Sequence, residues 1–171
     1  MAARIGKIII GGIALVIVIL IGIGLLAPRE YRGSLTRDIA RSPAAIYGWL
    51  IDFEAIPERR PEIKAVEMGS RNDQGFPVWT EFHGDTSSIF QAIEMVPNER
   101  LSVQTVTSNF GHAGTWSYSL KTGSQPGTTS VTITEVSDAY DFISRIFFTV
   151  LGRKHTLKTE MQAIETWAQG Q

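Results

Sequence analysis

Between residues 142 and 167 the large apolar side chains Ile143, Ile146, Phe147, Val150, Leu151, Leu157, Met161, Ile164 and Trp167 return every three or four positions, with Arg153, Lys154, Lys158, Glu160 and Glu165 between them. That step is the period of one helix face, so the spacing predicts one long amphipathic C-terminal helix, with Gly152 as the place for a bend. Ahead of it the period drops to two. Trp116, Tyr118 and Leu120 alternate with Thr115, Ser117 and Ser119, and Val78, Thr80 and Phe82 alternate with Trp79, Glu81 and His83. Alternation of this kind describes strands with distinct faces. Strands are predicted over residues 31–40, 63–70, 78–84, 88–96, 101–108, 115–120 and 130–137. Most of the links between them are short and polar, as in Asn72-Asp73-Gln74-Gly75, Gly84-Asp85 and Pro97-Asn98-Glu99, which implies consecutive antiparallel pairing. Ser42-Pro43 reads as a helix start, the serine as N-cap and the proline where its missing N–H costs nothing. Ile46, Trp49, Leu50 and Phe53 supply that helix's apolar stripe, and Ile56-Pro57 predicts a second short turn before Pro61.

The N-terminus has neither period. Residues 8–27 carry no charge, and as a helix they would span about 30 Å, the thickness of a bilayer core. A cleaved signal has a shorter apolar core and a small-residue cleavage site, whereas here Ala27 follows leucines and precedes Pro28. The expected organisation is a tail over 1–7, a transmembrane helix over 8–27, a linker over 28–30 and one folded domain over 31–171. The protein is then a single-pass membrane protein. Arg4 and Lys7 on one side compete with Arg29, Arg32, Arg37 and Arg41 on the other, so the charge rule leaves the side of the domain undecided.

A strand, two small helices, six strands and a long terminal helix make an α+β arrangement in which a curved antiparallel sheet of about seven strands wraps round one helix. With that order, Ser42-Pro43-Ala44-Ala45-Ile46-Tyr47-Gly48-Trp49-Leu50-Ile51-Asp52-Phe53, Gly114-Thr115-Trp116-Ser117-Tyr118-Ser119-Leu120, the stretch from Gly127 to Glu135, and Ile143-Ser144-Arg145-Ile146 resemble the START-like (SRPBCC) superfamily, in its polyketide cyclase/dehydrase and lipid-transport branch. The resemblance covers about residues 31–168 and implies a helix-grip fold with an apolar cavity between sheet and C-terminal helix. Two positions depart from the branch. Pro57 is followed by Glu58, Arg59 and Arg60 where a tryptophan is frequent, and Phe142-Ile143 stands where proline often precedes the last helix.

Composition narrows the chemistry. The formal net charge is −1, without the basic excess that releases counterions from nucleic acid. No cysteine is present, which removes thiolate ligands and thiol nucleophiles. No nucleophile elbow, phosphate loop or zinc spacing occurs, so neither a cofactor nor a metal is expected. Cavity-lining candidates are Trp79, Phe82, Trp116, Tyr118, Glu135, Phe147 and Leu151. A carboxylate at Glu135 would be buried unless paired, and Arg145 is its expected partner. Glu81, His83 and Asp85 alternate and share a face if the strand continues, a set read chiefly as a solvated surface of ion pairs. His112 lies in a glycine-bounded turn, and His155 stands among Arg153, Lys154 and Lys158, read chiefly as a solvated polar face and alternatively as a basic surface for anionic headgroups. The expected function is a membrane-tethered module binding a hydrophobic small molecule or lipid. A cyclase- or dehydratase-type enzyme using the same cavity is the alternative, and a purely structural role is a third reading.

Overall fold

The computed structural model describes residues 2–109, 111–152 and 154–170. Helix α1 (Ala2–Leu26) is followed by β1 (Glu30–Ile39), α2 (Pro43–Ile51), α3 (Ile56–Arg59) and β2 (Ala65–Met68). Then come β3 (Val78–His83), β4 (Thr86–Val96), β5 (Arg100–Ser108), β6 (His112–Thr122), β7 (Thr129–Ala139), α4 (Phe142–Leu151) and α5 (His155–Gly170). The seven strands form one sheet in the order β1-β7-β6-β5-β4-β3-β2, with every neighbouring pair antiparallel. This is a helix-grip architecture. Register shifts at Ile89/Phe90 and Ala92/Glu94, where β4 meets β5, add local twist and help to curl the sheet.

Local chemistry explains most boundaries. Ser42 caps α2 through an acceptor contact from the Ala45 N–H at 3.3 Å, with Pro43 just inside the start. Along β7, Thr129, Val131, Ile133, Glu135, Ser137 and Ala139 are buried and the residues between them are not, a period of two that sets one face against α5. Leu157, Met161 and Ile164 of α5 return the contact, all 2% exposed or less.

The single helix expected over residues 142–167 is two helices. Gly152 closes α4 at φ 88° and ψ 132°, a conformation almost closed to residues with a Cβ. What the apolar period could not show is that this glycine ends one helix, with a second beginning at His155, rather than bending a single one. α4 is capped independently, Asp141 accepting from the Ser144 N–H at 2.8 Å.

α1 contains a 20-residue stretch, Lys7–Leu26, long and apolar enough to cross a membrane, with a mean hydropathy of 3.1. The short link after it is pinned. Arg29 donates through Nη2 and Nε to the two carboxylate oxygens of Asp138 at 2.8 and 3.2 Å, and the Ala139 N–H donates to the Arg29 carbonyl at 3.0 Å. The C-terminal end of α1 leans on α4, where a Cβ on Gly24 would come within 2.4 Å of the Phe142 ring. Register places several features at this same end of the sheet. Glu30 lies opposite Asp138, Ala139 opposite His112, Ser108 opposite Ser88, and the β3–β4 turn joins His83 to Thr86. The Asp141 N–H also bonds the Gly111 carbonyl at 3.1 Å. Gly111, at φ 69°, leaves no room for a side chain beside the Asp141 carboxylate.

Candidate functional site

β3 runs along the open side of the sheet, and its alternation decides the site. Trp79, Glu81 and His83 point into the concave side, so Phe82 projects to the other face and does not line the cavity. Its neighbours across the strands are Ala65 and Ser87. Trp79 stacks on Phe53 at 4.1 Å and on Phe90 at 5.8 Å, and Phe90 meets Trp116 at 6.2 Å. These rings form a continuous wall contributed by α2's C-terminal flank and by β3, β4 and β6. Opposite it, α5 presents Thr156, Thr159, Glu160 and Ala163. The space between them is about 310 Å³, at the lower end of the usual range for small-molecule sites.

The polar groups gather at one place on this wall. Arg60, which follows α3, holds three carboxylates: Nη1 lies 3.2 Å from Glu160, Nε 3.1 Å from Glu62 and Nη2 3.7 Å from Glu81. Burial works against the charge on Arg60, and the Glu160 and Glu81 carboxylates more than offset it, so its proton is held more tightly than usual. Glu81 is 2% exposed. Its Oε1 accepts from the Trp79 indole N–H at 3.0 Å, while Oε2 is buried without a hydrogen bond. Desolvation pushes the Glu81 pKa up, against the pull of Arg60. His83 stands 3.9 Å from that same carboxylate oxygen, and its pKa is lowered by burial and by Arg60. Tyr118 directs its hydroxyl at Glu160 at 3.4 Å, and burial holds its proton well above the ordinary range. Next to Arg60, Arg59 is fixed over the Trp49 ring at 4.3 Å and donates to the Trp49 carbonyl and to the Asp52 carbonyl at 2.8 Å. Arg59, Arg60 and Glu62 line both this cavity and a second, open groove bordered by Glu58 and Trp167.

At the end of the sheet where α1 arrives the lining changes. His83, His112, Phe147, Phe148 and His155 bound the cavity there, with His112 edge-on to Phe148 at 5.2 Å. All three histidines of the chain therefore border one space. Among the described residues no group of three or more histidine, aspartate or glutamate side chains could hold a metal ion.

Of the candidate residues, Trp79, Trp116, Tyr118 and Phe147 stand on the cavity wall. Glu135 lies behind it, 1% exposed, and accepts from the hydroxyl of Thr156, which does line the cavity. Burial raises the Glu135 pKa, opposed by the Thr156 and Ser137 hydroxyls. Arg145 is not its partner, because it turns back to the Asp141 carbonyl at 3.3 Å. The side chain of Leu151, like Arg153, lies outside the described residues. Glu81 and His83 are not on a solvated face, since they turn into the cavity, where Arg60 pairs with Glu81, and Asp85 falls in the turn. Sequence reasoning missed Arg60, Glu62 and Glu160 as a set. The signal was the Arg59-Arg60 pair standing where the resembling branch carries an aromatic residue.

No family model matches the chain, and no curated protein does. Solved structures do. A START superfamily protein from Mycobacterium smegmatis superposes with a TM-score of 0.66 at 17% identity, over 81% of this chain and 97% of that one. The Zhui aromatase/cyclase from Streptomyces sp. R1128 gives 0.65 at 12% identity, over 82% and 94%. Norcoclaurine synthase from Thalictrum flavum gives 0.60 at 13% identity, over 87% and 91%. Matches this broad at such low identity carry the architecture and leave the chemistry to the residues: the chain has the START-like, helix-grip fold.

Proposed function

We propose that this protein is a membrane-tethered binding module that holds one small, largely hydrophobic molecule between the sheet and α5. The observation that carries the reading is the cavity itself, about 310 Å³ walled by Phe53, Trp79, Phe90 and Trp116, with one buried acceptor, Glu81 Oε2, left without a hydrogen bond. A buried acceptor of this kind costs free energy until a donor reaches it. The ligand that fits is therefore an amphipathic small molecule or lipid whose ring or chain body carries a hydroxyl or amine at one end. The similar folds support a hydrophobic ligand, and the span Lys7–Leu26 supports a single-pass anchor. Native mass spectrometry of the detergent-extracted full chain should find a co-purifying apolar compound that a saturating apolar dye displaces. Absence of both the compound and saturable dye binding would end this reading.

A second reading has a specific observation behind it. Glu81, with its raised pKa, His83 and the Tyr118–Glu160 pair all face the same cavity, and groups so placed can hold and move a proton. Two of the similar structures are enzymes by name, an aromatase/cyclase and a synthase. A cyclase- or dehydratase-type activity would require that Glu81→Gln abolish turnover of a bound compound while leaving its affinity within a few fold.

A further inference from the structure

Helix α4 is built inside out. Its buried side carries Ser144, 6% exposed, while Ile143, Phe147 and Val150, at positions i, i+4 and i+7, are 69%, 54% and 62% exposed. Among the described residues outside α1, the large apolar side chains most open to solvent are Met68, Val106, Tyr140, Ile143, Phe147 and Val150. The last four of these belong to α4 or lie just before it. A stripe this exposed at helical spacing is uncommon on a protein that lives wholly in water.

Its position suggests what covers it. α4 starts three residues after β7, at the strand end pinned to the α1 link by Arg29–Asp138, and its first ring packs on Gly24 of α1. If α1 crosses the bilayer, α4 is held beside the point where it emerges. Lys154 and Lys158, both exposed, stand next to it, as cations do at a headgroup surface. The cavity ends here too, bounded by Phe147, Phe148, His112 and His155.

We propose that the Ile143–Phe147–Val150 face of α4 is seated in the lipid headgroup region and that the cavity fills through this end, directly from the membrane. This rests on the reading of α1 as an anchor. The ligand then partitions into the bilayer first and passes α4 without crossing bulk water.

The chain has no cysteine, so single-cysteine variants take a fluorophore at one place only. The full-length protein would be labelled in turn at Ile143→Cys, Val150→Cys, Met68→Cys, Val106→Cys and Val16→Cys and placed in phosphatidylcholine vesicles. Quenching by nitroxide-bearing lipid would be compared with quenching by aqueous iodide. An interfacial helix sits about 5–10 Å into the headgroup boundary, so lipid quenching at 143 and 150 should exceed that at 68 and 106 by about threefold or more. Water-accessible labels at 143 and 150 with a lipid-quenched label at 16 would overturn the docking of α4 and leave the anchor standing. A water-accessible label at 16 would end the anchor reading and this proposal with it. Labels at 143 and 150 shielded from both quenchers would mean a protein partner covers α4, which also overturns it. The filling route has its own readout, because Ile143 and Val150 do not line the cavity. Replacing both with aspartate should slow uptake of an apolar dye from vesicles about tenfold, since charge is costly at the acyl boundary, and leave capture from micelles unchanged. Equal slowing from both sources, or none, would refute it.

Discussion

α5 and α4 come from one run of apolar periodicity, yet the sheet grips the first and leaves the second outside. α5 runs along β1 and β7, burying Leu157, Met161 and Ile164, and it is tied at both ends, by Thr156 to Glu135 and by the Arg41 guanidinium to the Ala168 carbonyl at 2.6 Å. α4 meets the sheet through Phe148, edge-on to His112 of β6, and leaves Ile143, Phe147 and Val150 outward. The same residue types therefore do two jobs. In α5 they are packed and supply folding free energy, and in α4 Ile143, Phe147 and Val150 stay more than half exposed.

The largest test of this contrast is truncation on each helix. Leu157→Ala should destabilise the protein by about 2–5 kcal/mol in denaturant melts, the usual cost of emptying a fully packed site. A change below about 1 kcal/mol would mean that the sheet does not grip α5 as described. Next is the tie between α5 and α3. Arg60→Gln leaves the buried Glu81 and the partly buried Glu160 without their cation, and the cost should reach about 1–3 kcal/mol at pH 8. It should shrink towards pH 5. The folded pKa of Glu81 lies above its unfolded value, so its contribution is intact while it is protonated and is lost as pH rises through the folded pKa. A cost independent of pH would remove Glu81 from the network.

Gly152→Ala tests the division itself. The left-handed backbone there should make alanine cost about 1–3 kcal/mol. Increased helicity with increased stability would show that one continuous helix competes with the broken one. Glu81→Gln is expected to be mild. The amide keeps an oxygen for the Trp79 indole and carries no charge to desolvate, so at pH 8 the variant should match or exceed the native protein by up to about 1 kcal/mol. Thermal midpoints at pH 5 and pH 8 should differ less in the variant than in the native chain. Smallest of all, Ile143→Ala on α4 should stay within about 0.5 kcal/mol in detergent. A larger loss would place Ile143 in a packed site and erase the contrast with α5.

The sequence made the architecture readable because each strand repeats its period several times and the turns carry their own chemistry. The inward aromatic residues Trp116 and Tyr118 were legible for the same reason. β3 was not. Both of its faces alternate cleanly, and the one that turns inward carries Glu81 and His83, which look like surface residues until Arg60 arrives from α3, with Glu160 beyond it on α5. Local pattern contains nothing of a compensation made from that far along the chain. Glu135 shows the same limit. Its burial was foreseen from the alternation of β7, but its partner is a hydroxyl delivered by α5 rather than Arg145, which the first turn of α4 claims for itself. The break at Gly152 escaped for a different reason. Apolar spacing records which residues share a face and says little about whether the backbone between them continues.

The aromatic wall gives the protein an optical property. It has four tryptophans; Trp49, Trp79 and Trp116 line the cavity, and Trp167 lies 5.6 Å from Trp49. Nearly all of its near-ultraviolet emission must originate at the cavity wall or within one ring contact of it. Occupancy should be visible in an unlabelled sample as a shift in intrinsic fluorescence, and the indole of Trp79, bonded to Glu81, should report the arrival of a proton or a donor at that carboxylate as a change in its own spectrum.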